Sequence, residues 1–292
     1  MRRILIFLLS ALLVFSMTAC AHAETAKVMT SFYPMYIFAL NVFGGIDAIE
    51  IDCMTAPETG CLHDYQLLVG DMMKLSDAAA LIVCGAGMEN YLPDVQEQFP
   101  ELAVIDCSQG IDLLTEEDED GDGELNAHTW LDARNAVKIV ETIAEYGCQL
   151  FPEFADQIRA NAMAYTERLN ALDEHLREEL APVRGKAIVT FHDAFPYFAN
   201  AYGLEIAAVI SEEHEETLSP AQLSQVIETV RQAGNPPLFT EPQYSAVAAY
   251  AVSAETGAPI YTLDPLVSGA YEKDAYEAGM QQNAEALLEA FK

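Results

Sequence analysis

Three histidines and one aspartate have the residue types expected of a divalent-metal site. They lie in the segments CLHDYQL (His63), NAHTWLD (His128), TFHDAFPYFANAYGLE (His192) and YTLDPL (Asp264). The chain has only six histidines, so these three segments take half of them. Imidazole suits borderline divalent metals, and three imidazoles with one carboxylate form a tetrahedral set for zinc. The four residues therefore predict a metal site.

The candidate ligands come from strand ends in both halves of the chain. His192 and Asp264 directly follow predicted strands in the second half, and His63 and His128 lie in loops that follow strands in the first half. In open parallel sheets, ligands collect beyond the carboxyl ends of the strands. We therefore expect two ligands from each half to hold one metal in a cleft between two lobes.

The apolar pattern of the chain alternates strands and helices, which predicts an α/β protein with parallel sheets covered on both faces. Helical spacing is clear over Met88–Phe99, Leu131–Leu150 and Asp274–Phe291. The predicted strands are Lys27–Ser31, Ile49–Cys53, Ala80–Cys84, Val104–Cys107, Ala187–Phe191, Ile206–Ile210, Leu238–Thr240 and Ile260–Leu263.

One long helix is expected to join the two lobes. Between Pro152 and Pro182 the chain has no proline or glycine, and apolar residues recur at helical spacing. Such a helix is about 40 Å long at 1.5 Å per residue, and it forms a rigid connection. The expected organisation is a signal peptide over 1–19, an N-terminal lobe over 20–151, the linking helix over 152–182 and a C-terminal lobe over 183–292.

The N-terminus indicates export. Arg2 and Arg3 precede an apolar stretch, Ile4–Thr18, that is short for a membrane span and leads into small residues. Met-Thr-Ala-Cys, ending at Cys20, is typical of a lipobox, whose acylated cysteine anchors a protein to the outer face of the membrane. Cleavage after Ala21-His22-Ala23, giving an unanchored periplasmic protein, is the alternative.

The charge balance excludes a class of partners. The 46 acidic residues against 14 basic ones give a net charge of −32. Nucleic acid is therefore not expected as a partner, because binding phosphates needs a basic surface. The acidic excess is expected to attract cations instead. Solubility in the native medium is, however, a sufficient explanation of the net charge by itself.

The five cysteines beyond Cys20 have several possible roles. Export permits disulfides, and Cys53 with Cys61, or Cys84 with Cys107, are possible pairs, which would leave Cys148 over. Buried free thiols are the simpler interpretation. Cys61 also lies two residues from His63, so its thiolate is an alternative metal ligand, which a disulfide would forbid.

The acidic segment 115–124, TEEDEDGDGE, is expected to be a solvated flexible loop near His128. Its Asp118, Asp120 and Asp122 imitate the start of a calcium loop, but the twelfth position is Thr129 instead of glutamate. Of the histidines outside the candidate set, His175 fits a helix surface and His214 fits an acidic loop.

Taken in order, these segments resemble a known family. The lipobox, the His-x-Tyr segment, AHTWLDARNAV, TFHDAFPYFANAYGLE, LFTEPQYS and LDPL are similar to those of the zinc-binding lipoproteins of bacterial ABC importers, over nearly the whole mature chain. The resemblance implies two α/β lobes joined by a long helix, and a metal held by His63, His128, His192 and Asp264. Manganese-binding members tend to have glutamate at the third position, so His192 implies zinc.

Some positions depart from the family pattern. Cys61-Leu62 replaces the Asp-Pro that often precedes the first histidine, and the acidic segment replaces a histidine-rich loop. Glu241 matches a family glutamate beside the cleft. We expect it to position a ligand, with direct ligation as the alternative.

The resemblance implies a monomeric, extracytoplasmic zinc carrier that delivers Zn²⁺ to a membrane permease with a cytoplasmic ATPase. A manganese carrier of the same type is the main alternative. A zinc hydrolase, with Glu241 as base, lacks an enzyme motif such as H-E-x-x-H, so no enzymatic activity is expected. An adhesion lipoprotein with a structural metal is the third possibility, and there metal removal would unfold the protein.

Overall fold

Two parallel four-stranded sheets form the centres of two α/β lobes, which confirms the predicted fold class. A computed structural model describes residues 25–56, 59, 61–62, 65–116, 123–210 and 219–292. The strand order is β2-β1-β3-β4 in the first sheet and β10-β9-β7-β8 in the second. The expected signal peptide and Cys20 lie outside the described residues.

Most strands match their expected positions within one or two residues. The first sheet has β1 Ala26–Thr30, β2 Ile49–Cys53, β3 Ala78–Val83 and β4 Ala103–Asp106. The second has β7 Ala187–Thr190, β8 Glu205–Val209, β9 Leu238–Thr240 and β10 Ile260–Thr262. In chain order between the two sheets, β5 Thr115–Glu116 pairs with β6 Glu124–Leu125 in an antiparallel ladder at the ends of the acidic segment. The candidate calcium residues lie outside the described residues.

Nine helices are found in the described part of the chain. They are α1 Tyr33–Phe43, α2 Val69–Ser76, α3 Leu92–Gln98, α4 Ala133–Leu150, α5 Ala155–Glu179, α6 Pro196–Tyr202, α7 Pro220–Gln232, α8 Val247–Thr256 and α9 Ala275–Ala290. None of the helices in the described ranges is long and apolar enough to cross a membrane.

The expected linking helix is α5, flanked by 3-10 turns over Pro152–Phe154 and Ala181–Val183. It is shorter than predicted because proline fits the first turn of a helix but not its interior. Its apolar face is fully or largely buried at Ile158, Ala162, Tyr165, Leu169, Leu172 and Leu176. The alternating steps of four and three residues place this face against the rest of the molecule along the whole helix.

The two lobes also contact each other directly. One hydrophobic core cluster includes residues of both, such as Ile82 and Ile188. The indole Nε1 of Trp130 donates to the Pro265 carbonyl at 2.8 Å, and the Tyr276 hydroxyl donates to the Trp130 carbonyl at 2.7 Å. Buried hydrogen bonds between lobes restrict their relative rotation.

The five cysteines in the described part of the chain are all free thiols. Cys84 and Cys107 follow neighbouring strands and are both completely buried, but no bridge joins them. The simpler interpretation of buried apolar thiols therefore holds for this pair. Cys61 is likewise free, so its thiol is available for other interactions.

Candidate metal centre

His128 is completely buried in the loop between β6 and the 3-10 turn Thr129–Leu131. The Asn126 side-chain oxygen accepts from the His128 backbone N–H at 3.0 Å and lies 3.2 Å from Nδ1. An amide oxygen only accepts, so the proton of this imidazole belongs on Nδ1. Nε2, which lies 3.5 Å from the Cys61 sulfur, then carries the lone pair that a metal ligand requires.

His192 approaches from the C-terminal lobe, two residues after β7 ends. Its Nδ1 lies 3.2 Å from Glu241 Oε2 and its Nε2 lies 3.1 Å from Asp193 Oδ1. The rings of His128 and His192 meet nearly at right angles, with centroids 4.9 Å apart. One imidazole from each lobe therefore faces the other, as the positions at strand ends predicted.

Cys61, His128 and His192 form the one group of three potential metal ligands in the described part of the chain. One ligand atom from each of Cys61, His128 and His192 lies within 4.8 Å of the other two. The Cys61 sulfur is 3.5 Å from His128 Nε2. The sequence offered this thiol only as an alternative ligand, and its free, partly buried position beside both imidazoles makes it part of the site.

Asp264 lies outside this group. Its Oδ1 accepts from the Gln243 amide at 3.1 Å and from the Leu266 backbone N–H at 2.8 Å. These contacts hold the turn after β10, where Leu266 has a φ of 59°. The remaining expected ligand, His63, and the loop histidine His214 lie outside the described residues.

The carboxylates beside the cluster favour a cation. Burial raises the pKa of the Glu241 carboxyl, while the hydrogen bond and charge of His192 act in the opposite direction. Burial also raises the pKa of the Cys61 thiol well above its usual range, and the Glu241 and Asp193 carboxylates add to this effect. Burial is the main cause of both shifts, because it disfavours the charged form of each group.

His175 is an exposed helix residue, as expected. Its side chain is 61% exposed, and its Nε2 lies 3.5 Å from the Glu179 carboxylate one turn along α5. Its exposure distinguishes it from His128, which is completely buried.

Two parallel α/β lobes on a connecting helix, with imidazoles from both lobes facing each other, define the class of metal-binding solute-binding proteins. The chain belongs to the family described as zinc-uptake complex component A, periplasmic, whose profile matches residues 28–290. The chain is therefore a metal-binding substrate-binding protein of this family and not an enzyme, and its place of action is extracytoplasmic.

Relatives of this chain are named for different metals. It is 29% identical over 239 residues to the manganese-binding lipoprotein MntA of Halalkalibacterium halodurans, covering 81% of this chain and 78% of that protein. It is 28% identical to the zinc-binding lipoprotein AdcA of Streptococcus pneumoniae, covering 96% of this chain but only 59% of AdcA. It is 30% identical to the iron-binding protein YfeA of Yersinia pestis, over 81% of this chain and 76% of YfeA.

Solved structures share the fold over nearly the whole chain. The Mn²⁺ complex of FpvC from Pseudomonas aeruginosa superposes with a TM-score of 0.82 at 24% identity, covering 91% of this chain and 98% of FpvC. A crystal structure of ZnuA superposes with a TM-score of 0.77 at 27% identity, covering 90% and 99% of the two chains. The fold is thus shared with both proteins over nearly their whole length.

Proposed function

We propose that this chain captures zinc outside the cell membrane and delivers it to an ABC permease with a cytoplasmic ATPase. The observation that carries the proposal is the pair of opposed imidazoles, His128 and His192, each with a hydrogen-bond partner on its Nδ1. Such partners orient imidazole ligands and increase their basicity, which suits a high-affinity metal site.

The proposed ligand set is His63, His128, His192 and Asp264, with Glu241 positioning His192. Asp264 lies outside the group of Cys61, His128 and His192, and on metal binding its Oδ1 would exchange the contacts with the Gln243 amide and the Leu266 N–H for the metal. The site is expected to be closed and four-coordinate, since a carrier gains nothing from an open coordination position.

Zinc is preferred over manganese in this proposal. Imidazole suits zinc, whereas manganese favours carboxylate, carbonyl and water oxygens. The relative named for manganese, MntA, makes a manganese carrier the specific alternative.

The proposed cellular arrangement is a monomer tethered to the outer face of the membrane by a lipid on Cys20. Cleavage after Ala23, giving an unanchored periplasmic protein, is the alternative. The proposed lobes are 20–151 and 183–292, joined by 152–182.

Calorimetric titration of the mature, metal-stripped protein tests this function. We expect one tight zinc equivalent and much weaker binding of manganese. His192→Ala is expected to weaken zinc binding by at least about 100-fold, more than the loss of an outer-shell partner would. His175→Ala is the matched control, because that imidazole is exposed and lies on α5.

Equal zinc affinity in His192→Ala and the wild-type protein would contradict the proposed site. Tight manganese binding with weak zinc binding would replace the proposal by its alternative. Unfolding on metal removal would instead favour a structural role for the metal.

A further inference from the structure

We infer that Cys61 is a direct ligand of the transported metal, so that the site joins a thiolate to the imidazoles of His128 and His192. The inference rests on the proposed function, because it assigns a ligand within the same site and, through that ligand, a metal preference. Cys61 then takes the place of either His63 or Asp264 in the proposed set of four ligands, and the other of these two residues keeps the remaining position.

The interatomic distances fit a single tetrahedral ion. Zinc binds sulfur at about 2.3 Å and imidazole nitrogen at about 2.0–2.1 Å, which separates the two ligand atoms by about 3.6 Å across a tetrahedral angle. The distance from Cys61 Sγ to His128 Nε2 is 3.5 Å. The ligand atoms of Cys61, His128 and His192 all lie within 4.8 Å of one another, so small side-chain adjustments bring the third atom onto the same ion.

Ligation needs no reaction partner other than the metal and water. Cys61 is not in a disulfide, so its S–H bond is intact before binding. On binding, the S–H bond breaks, the sulfur forms a bond to the metal, and the proton passes to water. No electron is transferred in this exchange.

Two carboxylates, those of Glu241 and Asp193, lie beside the His192 imidazole of this group. In the described part of the chain no lysine or arginine forms an ion pair with either carboxylate, and Glu241 Oε1 is buried without a hydrogen-bond partner there. A divalent ion between the thiolate and the imidazoles supplies the missing positive charge.

A thiolate ligand also determines which metal is favoured. Sulfur ligands select zinc and other soft or borderline metals, whereas manganese prefers oxygen ligands. Relatives of this chain are named for zinc, manganese and iron, so the shared fold leaves the metal open. Cys61 is the residue we expect to shift selectivity toward zinc.

Cobalt substitution tests the inference directly. Co²⁺ bound by a thiolate has an intense near-ultraviolet charge-transfer band, which imidazole and carboxylate ligands do not produce. The mature protein, reduced and metal-stripped, is titrated with Co²⁺, Zn²⁺ and Mn²⁺ beside Cys61→Ser. Cys148→Ser is the matched control, because Cys148 is also free and partly buried, and its sulfur contacts the Ala155 carbonyl at 3.5 Å.

The expected result is a charge-transfer band in the wild-type protein and in Cys148→Ser but not in Cys61→Ser. Zinc affinity is expected to fall by at least about 100-fold in Cys61→Ser, while manganese affinity changes little. A band of equal intensity in all three proteins, or tight cobalt binding without a band, would overturn the inference and leave the carrier function standing. Failure of the wild-type protein to bind zinc or cobalt would instead remove the proposed function itself.

Thiol alkylation provides a test that requires no variant. With the wild-type protein, zinc is expected to protect Cys61 from alkylation, mapped by mass spectrometry, and to leave the reactivity of Cys148 unchanged. Equal reactivity of Cys61 with and without bound zinc would contradict direct ligation.

Discussion

Glu241 contacts the imidazole of His192, and we propose that it orients this ring. It is 5% exposed at the end of β9, and its Oε2 lies 3.2 Å from His192 Nδ1. The corresponding partner of His128 is a neutral amide, Asn126. A carboxylate increases the basicity of its imidazole more than an amide does, so the two histidines are held by partners of different strength.

We expect Glu241→Ala to lower zinc affinity by about 10- to 100-fold and to keep one zinc bound per chain, because the histidine ligand remains while its partner is lost. Competition with a zinc chelator measures this change. If Glu241 is itself a ligand, the loss will equal that of His192→Ala. The double variant separates the two cases, since a positioning residue has no further effect once its histidine is absent.

Glu89 couples stability to pH outside the metal site. Its buried carboxylate accepts from the backbone N–H groups of Cys84 and Gly85 at 2.8 and 3.0 Å, just after β3. Burial raises the pKa of Glu89 from 4.5 to about 7. The folded protein therefore binds this proton more tightly than the unfolded chain does, so the contribution of Glu89 to stability is largest below its unfolded pKa and is lost as pH rises through about 7.

We expect wild-type stability to decrease relative to Glu89→Gln as the pH rises from 5.5 to 8. Glutamine does not titrate, and the acceptor it loses costs about 1–3 kcal/mol at every pH. Chemical denaturation of both metal-free proteins at several pH values measures the difference in the free energy of unfolding. A difference independent of pH would show that Glu89 keeps its ordinary pKa.

At the scale of elements, α4 and α1 approach each other closely through a glycine. A Cβ atom on Gly147 of α4 would lie 2.7 and 2.9 Å from ring atoms of Phe43 at the end of α1. Phe43 is 1% exposed, so its ring has little space to move. Helix propensity favours alanine at this position, but the packing of the two helices requires glycine.

We expect Gly147→Ala to lower the free energy of unfolding by about 1–3 kcal/mol, the usual cost of overpacking a core. Gly70→Ala in α2 is the control, because a Cβ there meets no atom within 4 Å, and a gain of about 0.5 kcal/mol is expected from the loss of backbone entropy in the unfolded chain. Thermal or denaturant unfolding measures both. Equal stabilisation by the two substitutions would show that the ring moves aside at little cost.

Sequence patterns located elements with a clear period better than those without one. β2 and β9 have the predicted ends: β2, IEIDC, alternates apolar and acidic residues, and β9, LFT, lies between Pro237 and Glu241. Helix α1, YPMYIFALNVF, is buried on nearly every side, so its apolar residues have no helical period that would distinguish it from a strand. The packing of α1 between α5 and the first sheet, and not the pattern of its residues, determines that this segment is a helix.

The part of the site that periodic strands position could be predicted from the sequence. His128 and His192 meet because parallel strands place the loops that follow them at one edge of each sheet. The approach of the Cys61 sulfur depends on the path of an irregular loop after β2, which periodicity does not determine. Its closeness to His63 in sequence was the only signal, and it left the thiol as an alternative.

At the scale of the whole molecule, the lobes are connected more tightly than a simple hinge allows. α5 packs along its full length, and the contacts of Trp130 with Pro265 and Tyr276 cross between the lobes. A rotation that opened the cleft widely would break these buried hydrogen bonds without replacing them. Metal exchange is therefore expected to involve local movement of ligand loops.

We expect the radius of gyration of the mature protein to be the same, within experimental error, with and without zinc. Small-angle X-ray scattering measures it, and a compact chain of this length has a value of about 18–19 Å. A decrease on zinc binding that is comparable to domain closure would contradict the restriction imposed by α5 and the contacts between the lobes. Zinc occupancy is confirmed on the same samples by elemental analysis.

Trp130 is the only tryptophan of the chain, and it is completely buried with its ring centroid 5.3 Å from that of His128. All indole fluorescence of the protein therefore originates at one fixed point beside a candidate ligand and between the two lobes. An imidazole that gains a proton or a metal ion changes the electric field and the quenching at that point. The protein thus contains its own optical probe of cargo loading, usable without a label and with the wild-type sequence.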